Sequence, residues 1–359
     1  MFATNGGAPP AEFTTPALLL DLDAAGRNIR AMAEFTNGKV KLRPHAKTHK
    51  SPRIARLQME AGAIGITCAT LKEAEVLQAA GIESLLLANQ VIEREPIARL
   101  IELARRGEVI VAIDSVENAR AIAAAARRAA CVVDCLVEVD VGLGRCGVAP
   151  GTAVVELARA IAALEGLRYR GIMGYEGGMF LADPREKGRK CRECYRRLAL
   201  TVELLRENQL PAEIVSSGGT NTFREAAESG MMTEIQPGSY VTMDEHNRRF
   251  GLAFEYALKV VATVLSCPEP GRCVINAGKK AVSCDEGLPV CVDPALDLFK
   301  LNEEHGHVRY DGDRARLKPG DRIEIIPSHG CTTIPLHEAY VLCRGGCVVG
   351  VEPIAARGH

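Results

Sequence analysis

No apolar run in this sequence of 359 residues reaches the roughly 18–20 residues that a membrane-spanning helix needs. The opening "MFATNGGAPPAEFTTP" lacks the basic segment and apolar stretch of a secretory signal, so none is expected there. Net charge is nearly absent too: a formal -1 and a pI of about 6.7 leave no electrostatic footprint for nucleic acid or an anionic membrane. Internal repeats and low-complexity segments are missing. What remains is a globular composition, 47% apolar, long enough for one large domain and a smaller one. A cytoplasmic enzyme is the expectation.

Cysteine is not scarce, with 13 in the chain, but the residues are scattered, odd in number and embedded in apolar runs such as "AACVVDCLVEV". They read as reduced and structural. The CxxC pair, Cys191 and Cys194, lies in "REKGRKCRECYRRL" without a second half or a preceding strand, and reads as one face of a helix.

From about residue 17 to 245, short aliphatic runs alternate with alanine-rich helical stretches. The expected strands are 17–22, 40–44, 63–69, 84–89, 109–114, 135–141, 169–175 and 213–218. Continuous apolar strands suit a parallel sheet buried on both faces, and eight such units suit an α/β protein with an eight-stranded β/α (TIM) barrel over 17–245. A doubly wound open sheet is the competing architecture. Beyond about residue 250, strand-like runs joined by Gly, Pro and Asp turns predict a C-terminal β-rich domain over 250–359, with residues 1–16 packing against it.

Active sites of β/α barrels lie where strands end. Lys47 in "KLRPHAKTHK", Arg145 in "DVGLGRCG", "GYEGG" at 174–178 and "SSGGT" at 216–220 all fall at such ends. The Gly-rich "SSGGTNTF" runs into an expected helix, and its amides and the helix start suit a phosphate; "QPGSY" (236–240) offers a second Gly-Ser turn. A lysine opposite a phosphate site suggests pyridoxal phosphate, which needs an amine for a Schiff base and an anion site. Strand alternation favours Lys47, with Lys50 beginning the next helix. Arg43, His45 and His49 are expected to depress the lysine pKa.

"RPHAKTHK", "EVDVGLGRCGV", "GGT", "PGSYVTMD", "NEEHG" and "PSHGC", in this order, resemble the D-threonine aldolase and D-serine dehydratase family, which shares the alanine racemase fold. The resemblance implies a pyridoxal 5'-phosphate barrel plus a β domain, with Lys47 as the Schiff-base lysine. It implies Gly218, Gly219, Thr220, Gly238, Ser239 and Tyr240 around the phosphate, and His45, Arg145 and Tyr175 near the cofactor. It also implies a divalent metal, a D-amino acid substrate and a homodimer. His329 and Cys331, read as two apart on one face of a strand, form an imidazole and thiolate pair that favours Zn²⁺, with Mn²⁺ or Mg²⁺ as alternatives.

The departures carry information. Aldolases of the family have an aspartate where Cys331 stands, and dehydratases a cysteine. Bacterial aldolases read Tyr-His-Gly where this chain has Tyr175, Glu176 and Gly177, so Glu176 would have to replace the histidine that takes the β-hydroxyl proton. The reading is a lyase of D-β-hydroxy-α-amino acids that dehydrates and deaminates, with D-threonine-type aldol cleavage as alternative and a metal-free racemase or a non-catalytic cofactor carrier behind them. His45 and His49 are expected to be structural or indirect, His337 to sit in a solvated loop, and His246 carries no signal. His305 is a better site candidate than His307, and Asp244 is open.

Overall fold

The computed structural model describes residues 13–311 and 317–358. Residues 1–12, on which most of the expected N-terminal packing falls, lie outside the described residues. The chain divides into two compact units: Met32–Gly238, and the described residues up to Ala31 together with Ser239–Arg357.

Strand β1 (Ala17–Asp21) is followed by eight strands that share one parallel sheet: β2 (Lys41–Leu42), β3 (Ile66–Cys68), β4 (Ser84–Leu87), β5 (Glu108–Ile113), β6 (Val133–Glu138), β7 (Leu167–Met173), β8 (Ile214–Ser217) and β9 (Glu234–Ile235). Their order is β2-β9-β8-β7-β6-β5-β4-β3. The end strands meet through Ile64 N–H to Leu42 O (2.9 Å), Thr67 N–H to Pro44 O (2.8 Å) and Ala46 N–H to Thr67 O (2.8 Å), which closes the eight-stranded barrel. The fold class is therefore as expected, but its first strand is not. "ALLLDL" belongs to the other unit, and the ring is completed by the two-residue β9, too short to show in the sequence.

Several of the intervening helices begin with side-chain caps. Ser51 accepts from Ile54 N–H ahead of Pro52, Thr70 from Glu73 N–H, and Ser115 from Asn118 N–H. Leu86, Ile110, Ala112, Leu136, Met173 and Ile214 form a buried cluster across adjacent strands. Each large aliphatic side chain there contributes about 1.5–3 kcal/mol of transfer free energy. Cys191 and Cys194 lie on the buried face of the helix Pro184–Glu207, as a helix-face reading requires.

The second unit contains β10 (Leu258–Glu269), β11 (Arg272–Ile275), β12 (Val290–Cys291), β13 (Leu296–Leu301), β14 (Gly306–Tyr310), β15 (Arg322–Ile326), β16 (Ala339–Arg344) and β17 (Cys347–Pro353). Its sheet runs β13-β14-β11-β10-β1-β16-β17, with β15 on β10 and β12 on β15. β1 pairs antiparallel with β10 and parallel with β16, so both its edges are hydrogen-bonded and Ala17–Leu20 are buried. A strand of that kind reads like a barrel strand, because both demand an unbroken apolar run. Among the described residues no helix is long and apolar enough to cross a membrane.

Candidate active site

Within the barrel, the expected residues gather at the C-terminal strand ends. Of residues 42–50, Lys47 alone is exposed. Its Nζ lies 5.9 Å from the centroid of the Tyr175 ring, and the Arg145 guanidinium lies 5.6 Å from the same centroid. The second lysine of the motif is spent elsewhere. Lys50, at φ 50°, places Nζ 2.5 Å from Glu73 Oε1 in a buried pair, and the next helix starts only at Pro52. The expected cationic field around Lys47 is also absent. Arg43 Nε donates to both carboxylate oxygens of Glu234, while burial pushes the His45 pKa well below its ordinary value and that of His49 to about 3. Both rings are neutral. His45 Nδ1 accepts weakly from Lys47 N–H (3.4 Å) and His49 Nδ1 from Ser51 N–H (3.1 Å).

The glycine loops lie against this group. A Cβ on Gly219 would stand 3.1 Å from Tyr175 Cε2 and 3.2 Å from its hydroxyl. On Gly238 it would stand 2.9 Å from His45 O and 3.0 Å from Thr48 Oγ1. At Gly238 the backbone oxygen leaves no room for a Cβ, and at Gly219 the Tyr175 ring would have to give way by a few tenths of an ångström. The amides, however, serve the loop itself: Gly218 N–H donates to Glu176 Oε2 (3.3 Å), Gly219 N–H to Thr222 Oγ1 (3.0 Å) and Gly238 N–H to Thr220 Oγ1 (3.1 Å). The helix that follows, Phe223–Glu228, has six residues, so the expected dipole support for an anion is slight. Ser239 and Tyr240 open the other unit. There Ser239 Oγ accepts from Asn247 Nδ2 (3.3 Å), and Tyr240 is fully buried 5.6 Å from Phe254.

Glu176 does not point outward. It is 1% exposed. Its Oε1 accepts from Tyr195 OH (3.1 Å) and from Thr222 Oγ1, and its Oε2 from Ser217 Oγ (2.7 Å) and Gly218 N–H. Four donors saturate the carboxylate, which ties the Ser217–Thr222 loop to the helix carrying Tyr195. Sequence reasoning missed Glu138, at the end of β6. Burial raises its pKa against the opposing contacts of Gln90 and Arg145, and Arg145 Nη2 stands 3.8 Å from Glu138 Oε1.

In the second unit, His329 and Cys331 are not on a strand. β15 ends at Ile326, His329 caps the short helix Gly330–Thr333, and Cys331 lies in its first turn. The pair is nevertheless in contact. Burial opposes protonation of His329, but hydrogen bonds and charges of Cys331 and Asp285 outweigh it and raise its pKa to about 10. Imidazole with thiolate is a fitting donor set for a divalent cation, whose binding displaces the protons these groups hold. Asp285, Glu286 and His329 offer donor atoms within 4.8 Å of one another. The ring of His246, which carried no signal, lies tilted with its centroid 6.3 Å from that of His329, and its Nδ1 is 3.4 Å from Glu286. Asp244 holds the turn: its Oδ2 accepts from Gly330 N–H (3.0 Å) and its Oδ1 from Asn247. His337 is buried rather than solvated, with Nε2 on Ala281 O at 2.7 Å. His305 is exposed in the turn before β14, and His307 Nε2 meets Asn302 Oδ1 at 2.5 Å.

The exposed amine of Lys47 beside a phenol and two closely packed glycine surfaces fits the pyridoxal phosphate implied by the sequence. Comparison with known proteins agrees. Residues 20–246 match the family described as alanine racemase, N-terminal domain, and residues 257–343 match a serine dehydratase domain family. D-threonine aldolase from Arthrobacter sp. is 38% identical, over 98% of this chain and 95% of its own. The crystal structure of D-threonine aldolase from Filomicrobium marinum superposes with a TM-score of 0.94 at 38% identity, covering 98% of this chain and 99% of that one. D-threo-3-hydroxyaspartate dehydratase from Delftia sp. HT23 gives a TM-score of 0.85 at 31% identity, covering 97% and 98%. A cysteine-to-alanine variant of that dehydratase has been solved in a metal-free form.

Proposed function

Because the chain belongs to the D-threonine aldolase and D-serine dehydratase family, built on the alanine racemase fold, we propose that it is a pyridoxal-phosphate- and metal-dependent lyase that removes water and ammonia from a D-β-hydroxy-α-amino acid. Bound pyridoxal phosphate supplies an electron sink at the substrate Cα, and a metal on His329 and Cys331, with Zn²⁺ favoured by the thiolate, supplies a Lewis acid for an oxygen. Lys47 is the residue that holds the cofactor and, once its amine is released, takes the Cα proton. Tyr175 and Arg145 flank it, with Glu138 beside the guanidinium. Loss of the Cα proton and the β-hydroxyl as water leaves an enamine, which water converts to a keto acid and ammonia.

The observation that carries elimination over aldol cleavage is the state of Glu176. Breaking Cα–Cβ needs a base that takes the β-hydroxyl proton, and the acid next to Tyr175 has both oxygens filled by Tyr195, Ser217, Gly218 and Thr222. A general base must reach the proton it removes. Aldol cleavage, releasing glycine and an aldehyde, stays as the second reading, favoured by the 38% identity to D-threonine aldolase against 34% to D-threo-3-hydroxyaspartate dehydratase. A homodimer and a cytoplasmic location belong to the same reading, as does a barrel domain of 17–245 followed by a β domain of 250–359 that carries the metal. The sheet partners of β1 favour counting its residues with the β domain.

The test is product analysis. Protein loaded with pyridoxal phosphate and Zn²⁺ or Mn²⁺ is incubated with D-serine, D-threonine or D-3-hydroxyaspartate. Keto acid with equimolar ammonia is expected, and glycine with an aldehyde would establish the second reading.

A further inference from the structure

Sequence spacing singles out His329 and Cys331, but a side chain that meets His329 lies 44 positions upstream of it. His329 Nδ1 stands 2.8 Å from Asp285 Oδ2. A carboxylate only accepts, so Nδ1 carries a proton, and in the neutral ring that a metal requires the lone pair is on Nε2. The carboxylate is itself fixed: its Oδ1 accepts from Ser283 Oγ (2.7 Å) and Thr332 Oγ1 (3.0 Å). The backbone ties the same two segments together, through Ser283 N–H to Thr333 Oγ1 (3.1 Å) and Ser328 Oγ to Ser283 O (3.1 Å). Asp285 therefore meets His329 from a loop locked to the turn that carries the ligand pair.

We infer that Asp285 is the positioning residue of the metal site, holding His329 in the Nδ1–H tautomer with Nε2 as the metal donor beside the Cys331 sulfur. The inference rests on the metal-dependent reading above. Direct ligation by the neighbouring carboxylates fits less well. Asp285 Oδ2 is committed to the imidazole proton, and Glu286 faces Nδ1 of His246 at 3.4 Å. A hydrogen-bonded carboxylate behind a ligating imidazole raises the basicity of the ligand and saves the ordering of its ring on binding.

The experiment compares cofactor-loaded protein with its Asp285→Ala, Asp285→Asn, His329→Ala and Cys331→Ala variants. Zn²⁺ affinity is measured by chelator competition, and the absorption spectrum is recorded at saturating Co²⁺. Asp285→Ala is expected to weaken Zn²⁺ binding about 10- to 100-fold, while the thiolate-to-cobalt band at saturation and the cofactor absorbance are retained. Asp285→Asn, which still accepts from Nδ1–H, should recover part of the loss; a purely structural role would not grade the variants this way. Unchanged affinity in Asp285→Ala, with His329→Ala and Cys331→Ala both impaired, overturns the inference alone. A loss as deep as that of His329→Ala, with an altered cobalt band, makes Asp285 a ligand and also overturns it. If neither His329→Ala nor Cys331→Ala weakens Zn²⁺ binding, the metal assignment fails first and the inference with it.

Discussion

Lys50 and Glu73 form a buried ion pair three residues beyond Lys47, with Nζ 2.5 Å from Oε1 and the second oxygen of Glu73 accepting from Ala69 N–H. Of two lysines in one motif, the fold fixes one and leaves the other its amine. Lys50→Met strands a buried carboxylate and should cost about 3–5 kcal/mol in denaturant unfolding. Lys47→Ala, at an exposed position, should change stability by less than about 0.5 kcal/mol yet abolish the adduct that borohydride traps with pyridoxal phosphate. A trapped adduct surviving in Lys47→Ala would move the cofactor to another amine.

Glu176 separates a structural from a catalytic carboxylate. Replacing it with Gln removes charge but keeps part of the hydrogen bonding, so cofactor affinity should fall while kcat at saturating cofactor stays within a few-fold. A general base at this position would instead cost about 10²–10⁴ in kcat. The split between cofactor titration and kcat decides the matter.

The buried pair of Arg43 and Glu234, 4% and 2% exposed and joined by Ser84 and Ser216, links neighbouring strands next to the ring closure. Arg43→Leu alone should destabilise by about 3–5 kcal/mol, and adding Glu234→Leu should recover most of it, because the lone buried charge is the larger penalty. Chemical denaturation of both variants checks this; a double variant no better than the single one would count against it.

His49 stays neutral in the fold down to about pH 3 but takes a proton near 6.5 when unfolded, and His45 is depressed in the same direction. The unfolded state binds more protons across this window, so stability falls as pH drops below about 6.5. The slope should approach about 1.4 kcal/mol per pH unit for each such histidine. His49→Gln should flatten the stability profile between pH 6 and 4 by about one proton. An unaltered slope would show that His49 charges within the fold.

Much of the site was legible because its residues lie close together in sequence or at strand ends. "RPHAK" pointed to Lys47 by strand alternation, although β2 ends at Leu42 and a turn, after an unbroken buried run, is what exposes it; the loops after β6, β7 and β8 announce themselves by glycine. His329 and Cys331 were found for a wrong reason, since a helix start rather than strand alternation brings them together. Asp285 was illegible: a single aspartate in "SCDEG", bonded locally to Ser283, has no spacing that points to a metal site, and only tertiary structure brings it to His329. Glu138 was masked by a run of buried strand residues, and Glu176 looked reactive because sequence does not reveal four donors converging from Tyr195, Ser217, Gly218 and Thr222. β9, with two residues, carries no periodicity at all.

The placement of β1 between β10 and β16 has a consequence for how the chain is made. β1, synthesised ahead of the barrel, waits for partners that begin at Leu258 and Ala339, while the entire barrel, Met32–Gly238, emerges between them. The barrel is thus an insert with both its ends anchored in the other unit, able to fold on the ribosome while β1 is held as an unpaired apolar strand. Removing the N-terminal segment through Asp21 would excise an interior rung of the later-forming sheet rather than trim a tail, and would leave the edges of β10 and β16 open to the corresponding strand of another molecule.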